Sequence, residues 1–287
     1  MVVRVIENSG EGGLPQVELK ARPVVGDEHL QAFGSPAALS ILRDMCLEAA
    51  QEGRASADES IAAAVVYARL AAAVGGAAEA LALGTLLLDR AIEAAQHGAS
   101  EPATLYLQEA AARFGHAAKC GITEAAERYV DVLRDPAFTP PDDDTARLLV
   151  AIEGLHHDAA NGDDGAIAVM VRGCLNGGEV CRARRLVEAE QYARLGAASG
   201  TPGSALRLVD VLFVRATDPC NAHETAEVRS WWVVEAISIA HEWSSVGDAT
   251  ATVECLRMVD ELPADVRALA ATAFPPTLTY VEPEGSC

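Results

Sequence analysis

A recurring set of an aromatic residue, two alanines and a glycine constrains this chain more than any other feature. Tyr67 leads to Ala71, Ala72 and Gly75; Tyr106 leads to Ala110, Ala111 and Gly115; Tyr192 leads to Ala197, Ala198 and Gly200. A weaker copy has Ala159, Ala160 and Gly162 with His156 near the aromatic place, and a stretched one runs from Trp232 to Gly247. The five glycines are spaced by 40, 47, 38 and 47 residues, close to the roughly 34 to 47 residues of stacked helix-pair repeats. Paired alanines let one helix axis approach the next. The glycine is expected to supply the left-handed residue that ends each helix and turns the chain. After the first, second and fourth glycines another amphipathic start follows, at Ala80–Gly84, Ala117–Gly121 and Ala205–Leu208.

The spacing of apolar residues agrees. From about Ser35 to Phe274 the apolar runs recur at helical intervals, bounded by Gly, Asp, Ser or Pro, which predicts roughly ten or eleven helices. Ser56 and Asp58 before Ile61, Ser100 with Pro102, Asp142–Asp144 before Leu148, and Asp163 with Asp164 before Ile167 read as helix starts. Acidic residues there suit the positive end of the helix dipole. The ends of the chain differ. Residues 1–33 alternate and turn like a short hairpin or extended arm, and in residues 275–287 Pro275 and Pro276 stop a helix before an extended-favouring tail. The expected fold is all-α: a solenoid of about five helix-turn-helix repeats over residues 34–274, flanked by short extended N- and C-terminal arms.

Composition narrows the function. At 287 residues the chain exceeds an ordinary single core, and a stacked array accommodates that length. It holds 56 alanines, with aromatics at only 5%, which suits close helix packing. A formal charge of −20 and a pI near 4.6 repel phosphate backbones and anionic membrane surfaces, so direct nucleic-acid binding is not expected and a basic protein partner is. No apolar run is long enough to span a bilayer and no signal-peptide pattern opens the chain, so a cytoplasmic protein, free or inside a particle assembled there, is expected. The seven cysteines are scattered, without a CxxC pair, and read as mostly buried thiols.

The run Tyr67-Ala-Arg-Leu-Ala-Ala-Ala-Val-Gly-Gly-Ala-Ala-Glu-Ala-Leu-Ala-Leu-Gly84 resembles the Sel-like repeat, a tetratricopeptide relative in which a Tyr or Trp, an alanine pair, a Gly, an Ala and a Leu-Gly recur. The stretch from Tyr192 to Gly200, followed by Ala205 and Leu206, is similar. The short GxGVxxD loop of that family is intact in no copy, so a Sel-like and a divergent tetratricopeptide array both fit. The resemblance covers about residues 35–260 at low fidelity. It implies right-handed superhelices whose concave face binds peptides or assembles complexes, without catalysis. Some secreted members bridge cysteines spaced like Cys174 and Cys181; here the reduced state is the expectation.

Signs of chemistry are few. His156 and His157 are adjacent on a helix and point apart, no HExxH occurs, and Gly10, Gly12 and Gly13 lack a phosphate-loop register. No metal, nucleotide or other cofactor is expected, and no nucleophile, base and orienting group occur together. Two groups stand out as partner-binding candidates. Arg182, Arg184 and Arg185 form the basic cluster of an acidic chain, read first as a helix-end charge group paired with Glu188 or Glu190 and second as an anion site. Trp231, Trp232 and Trp243 gather all three tryptophans within 13 residues, one of the adjacent pair expected in the core and one at an interface. The leading expectation is a non-catalytic scaffold or adaptor whose acidic surface holds a basic or extended protein segment. The alternative is a structural subunit of a large assembly, a virion or secretion apparatus, self-associating through its arms. An enzyme is the remote third reading.

Overall fold

The computed structural model describes residues 3–5, 17–19, 34–53, 56–176, 182–245 and 262–273. Two three-residue strands, β1 (Val3–Val5) and β2 (Val17–Leu19), pair antiparallel with Val3 opposite Leu19 and Val5 opposite Val17. The rest of the regular structure described is helical, so the fold is all-α and its helices pack in adjacent pairs, as a helical-repeat solenoid does. The tail 275–287 lies outside the described residues, as do Gly247, Cys181, Cys255 and Cys287.

The chain divides into two compact units. Residues 27–199 hold α1 (Pro36–Gln51), α2 (Ala57–Val74), α3 (Ala77–Gln96), α4 (Ser100–Lys119), α5 (Thr123–Arg134), α6 (Asp143–Ala160), α7 (Asp164–Asn176) and α8 (Arg182–Ala198). Two of the expected start signals, Asp142 and Asp163, cap with their side chains, whereas Ser56 makes no side-chain cap and Ser100 lies inside the first turn, with Ala99 at the cap. Asp142 Oδ1 accepts the Thr145 N–H at 2.7 Å, Asp163 Oδ1 accepts that of Ala166 at 2.7 Å, and Ser35 Oγ accepts that of Ala38 at 3.2 Å. Each satisfies a backbone donor that the helix leaves without a partner.

Helices α1 with α2, α3 with α4, and α7 with α8 form the tightest pairs of this unit, and α5 lies on α4. The pairs do not stack simply in chain order, because α2 touches α3 on one side and both α6 and α8 on another. Ala62, Ala63, Ala64, Val65, Val66, Tyr67, Ala68, Leu70 and Ala71 are all buried, so α2 is enclosed almost all round. Val65, Leu83, Leu87, Leu107, Phe114 and Val132 build an apolar cluster over α2–α5. The backbone N–H of Gly34 donates to Ala160 O at 2.7 Å, tying the start of α1 to the end of α6.

The second unit, residues 200–287 with 1–26, contains α9 (Pro202–Thr217), α10 (Ala226–Ser245) and α11 (Ala264–Ala273). Leu208, Leu212 and Phe213 of α9 and Val233, Ile237 and Ile239 of α10 are buried. A short 3-10 turn at Pro219–Asn221 joins these two helices, fastened by Asn221 Nδ2 donating to Arg215 O at 2.9 Å.

The repeat glycines have two different roles. Gly162 (φ 87°) and Gly200 (φ 73°) are left-handed, as expected for helix ends. Gly75 and Gly115 correct that expectation. Gly75 caps α2 in an extended conformation, and Gly115 lies inside α4, where the left-handed turn comes later at Gly121 (φ 94°). Close approach explains Gly75, where a Cβ would lie 2.6 Å from Ala71 O; at Gly115 an added Cβ would make only ordinary contact, 3.4 Å from the Tyr129 ring of α5. The alanines behave as the spacing predicts: Ala71, Ala110, Ala111, Ala159, Ala160 and Ala198 are buried, Ala72 and Ala197 partly so.

Two glycine substitutions should therefore move stability in opposite directions. A Cβ on Gly84 would meet the buried Phe114 ring at 2.7 Å, so Gly84→Ala should cost about 1–3 kcal/mol through forced repacking of α3 on α4. Gly154, on the exposed side of α6, has nothing within 4 Å of an added Cβ, so Gly154→Ala should gain about 0.5–1 kcal/mol. Urea unfolding followed by circular dichroism at both positions checks the pair.

Candidate functional site: a buried charge seam

The residues at the aromatic place of the first four copies, Tyr67, Tyr106, His156 and Tyr192, make polar contacts along one seam that links α2, α4, α6 and α8. The Tyr67 hydroxyl donates to Gln191 Oε1 at 2.8 Å, and Arg184 Nη1 donates to the Tyr106 hydroxyl at 3.3 Å. His156, which stands at the aromatic place of the third copy, shares a 2.8 Å hydrogen bond between Nε2 and the Tyr192 hydroxyl. The two rings stack with centroids 6.1 Å apart. The repeat thus places side chains that hydrogen-bond across helices.

Arg69 is the charge at the centre. Its Nε and Nη2 donate to the two carboxylate oxygens of Glu109 at 3.1 and 2.8 Å, and its Nη1 lies 3.9 Å from Glu188 Oε2. This parallel two-point contact is the strongest geometry an arginine makes with a carboxylate. Burial works against the Arg69 charge, but Glu109 and Glu188 outweigh it and hold the guanidinium more firmly protonated. Burial likewise works to raise the Glu109 carboxyl, and Arg69 overcomes it, so Glu109 is held below the usual carboxylate range. Glu188 goes the other way: burial raises it, and the attraction of Arg69 is partly cancelled by repulsion from Glu109.

Around this centre Arg113 Nη1 donates to Glu153 Oε1 at 2.6 Å, linking α4 to α6, and Arg194 pairs with Glu190 at 2.7 Å along α8. His157 Nδ1 lies 2.9 Å from Ala73 O of α2. Buried His156 is kept neutral: loss of solvent, then the nearby Arg69 charge, press its pKa down to about 3. Tyr192 is pushed up, chiefly by burial. These shifts follow from a water-poor seam that holds charges in pairs.

The arginine cluster belongs to the edge of the same seam. Arg182 donates to Leu175 O, Arg184 reaches Tyr106 and lies 3.8 Å from Asp58 Oδ1, and the Arg185 charge acts on Glu188. Arg90 of α3, 2% exposed, meets Asp58 at 3.6 Å and also pairs with Glu93. The tryptophans lie elsewhere, in the second unit. Trp231 and Trp232 are both partly buried, and the Arg215 guanidinium sits over the Trp232 ring at 4.1 Å, so neither forms a fully enclosed core residue. The side chain of Trp243 lies outside the description. Cys174 is a free, buried thiol pushed up to about 12, mainly by burial.

Sequence reasoning singled out Arg184 and Arg185 but missed Arg69, Arg90, Glu109 and Glu188 as one group. A signal for Arg69 was present in the identical tetrapeptides Tyr67-Ala-Arg-Leu70 and Tyr192-Ala-Arg-Leu195. Arginine two places after the aromatic pairs with a glutamate in both copies, Arg69 with Glu109 of α4 and Arg194 with Glu190 of its own helix. Among the described residues, no group of three or more His, Cys, Asp or Glu side chains is placed to hold a metal ion, and no helix is long and apolar enough to cross a membrane.

Removing one member of the central pair leaves an uncompensated charge in a dry place. Glu109→Ala should cost about 3–5 kcal/mol, read as a lower urea midpoint. His156 adds a pH dependence. Because its pKa falls from 6.5 unfolded to about 3 folded, its contribution is complete above about pH 6.5 and is lost as pH falls towards 3. Each unit of that shift corresponds to about 1.4 kcal/mol. His156→Phe should flatten the fall in melting temperature between about pH 7 and pH 4, measured by differential scanning calorimetry.

No protein-family model matches the chain, and neither do curated proteins or solved structures.

Proposed function

We propose that the chain is a non-catalytic protein-interaction scaffold, and that its α5–α6 stretch receives a basic, extended or amphipathic segment of a partner. The observation that carries this reading is a stretch of chain whose exposed residues are both acidic and apolar. Residues 123–164 contain eleven Asp and Glu against three Arg, with no Lys. Ten of those acids are exposed. The same two helices leave Val130, Leu133, Leu148 and Val150 in solvent, Leu148 at 58% and Val150 at 70% exposure.

An isolated exposed aliphatic residue is ordinary, but several set among like charges supply both parts of a recognition surface. Apolar anchors give affinity, and the acidic rim steers a cationic partner and rejects anionic ones. Few residues of α5 and α6 are drawn into the core: Ala125 and Val132 of the first, His156, Ala159 and Ala160 of the second. These helices therefore have most of their circumference free for another protein. The acidic surface also supports the further expectation that nucleic acid is not bound directly.

The test is affinity capture from the native host at low and moderate salt, with the parent chain and with a Leu148→Asp/Val150→Asp variant. Neither residue is buried, so the variant should melt within about 0.5 kcal/mol of the parent. A stoichiometric basic partner should be retained by the parent, weakened by added salt and lost from the variant. A partner retained equally by both chains at all salt concentrations would count against this surface.

A further inference from the structure

Helix α6 is enclosed at one end only. His156, Ala159 and Ala160 are buried near its C-terminus, whereas no residue from Asp143 to Leu155 is. Its outward side is one row, Arg147, Ala151, Gly154 and Asp158, spaced by four, three and four residues and exposed throughout. That spacing keeps the row nearly parallel to the helix axis, as in the seam of a coiled coil. Val150, 70% exposed, and half-buried Leu155 border the row on opposite sides.

The charges of this row are self-complementary. A two-fold axis through the midpoint between Ala151 and Gly154 lays a second α6 antiparallel on the first. Residues equidistant from that midpoint then meet: Arg147 faces the partner's Asp158, Ala151 faces the partner's Gly154, and Val150 faces the partner's Leu155. Each contact occurs twice, as in any isologous interface. Other arrangements are opposed by charge. Parallel helices would set Arg147 against itself and Asp158 against itself. An antiparallel pair moved one turn towards the N-terminus would set Asp143 against the partner's Asp158. Within the chain Arg147 meets Asp144 at 3.2 Å, but both side chains are largely in solvent, and such a pair holds an arginine only weakly.

The middle of the row admits close approach. Gly84, inside α3, is met by the Phe114 ring of the next helix, whereas Gly154, inside α6, has nothing within 4 Å of an added Cβ. Glycine inside an exposed helix is less stable than alanine, and what it permits is the near approach of another chain. An alanine facing a glycine lets two helix axes come close, so that Val150 and Leu155 can reach across.

We propose that the chain self-associates as an antiparallel two-fold dimer through the outer row of α6, with Arg147 paired to the partner's Asp158. This inference does not rest on the partner-scaffold reading. Pairing covers Val150, so a second copy and a basic partner would compete for α6. The net charge of −20 opposes association, and salt near the physiological level screens that long-range repulsion. A single helix pair is a small interface, so the dimer is a weak one.

Sedimentation equilibrium of the purified full chain, from micromolar to submillimolar concentration at physiological salt, is the test. A monomer–dimer equilibrium is expected. Arg147→Asp sets Asp against the partner's Asp158, and Asp158→Arg sets Arg against the partner's Arg147. Each should raise the dissociation constant about tenfold or more, and the combined Arg147→Asp/Asp158→Arg chain should return to within about threefold of the parent. Gly154→Leu holds the axes apart and should also weaken the dimer. The two charge reversals alter exposed side chains and should melt with the parent, which separates loss of pairing from loss of fold. A parent that stays monomeric over the whole range overturns the proposal. So does a dimer that the single reversals leave unchanged, which places the contact elsewhere, or a double reversal that restores nothing.

Discussion

The enclosure of α2 is the constraint on which the larger unit depends. A helix this rich in alanine gives little apolar area per face, so it gains stability only by burying every face, with α1, α3, α6 and α8 supplying the cover. Into this helix the chain places a single cation, Arg69. Its charge has to be met in the interior, and Glu109 from α4 and Glu188 from α8 meet it. Apolar packing among alanines tolerates small changes of register between helices, whereas a two-point arginine–carboxylate contact does not. The seam therefore fixes how α2, α4 and α8 are aligned. It contributes specificity of packing more than net stability, because the cost of drying the charges offsets much of their attraction.

Charge is sorted between inside and outside. Arg69, Arg90, Arg113, Arg184 and Arg185 are drawn into or beside the seam, largely out of solvent. These are five of the chain's 22 basic residues. The acidic residues of 123–164 stay outside without enough cations to balance them. One sequence thus produces an arginine-rich interior edge and an acidic exterior.

Much of the helical framework was legible beforehand. Asp142 and Asp163 cap as their spacing before apolar runs implies, and the alanine pairs are buried. The tyrosines of the repeat were recognised as markers but not as hydrogen-bond donors and acceptors, because a hydroxyl's partner lies on a distant helix: Tyr67 and Gln191 are 124 residues apart. Gly115 was misread for a similar reason. Its place in the repeat resembled that of Gly162 and Gly200, yet a glycine in a left-handed turn and one inside a helix look identical in sequence.

Local physics determined what the sequence could announce by itself: helix starts, small-residue stripes, the repeat period, and a strongly acidic balance. Each depends on residues within a few turns of one another or on simple totals. Tertiary structure alone decided that α2 is central, that Arg69 faces Glu109 across 40 residues, and that the outer edges of Arg90 and Arg185 are left without acceptors. Such facts depend on which faces of separate helices meet, and a guanidinium's surroundings follow from that meeting and not from its neighbours in the chain.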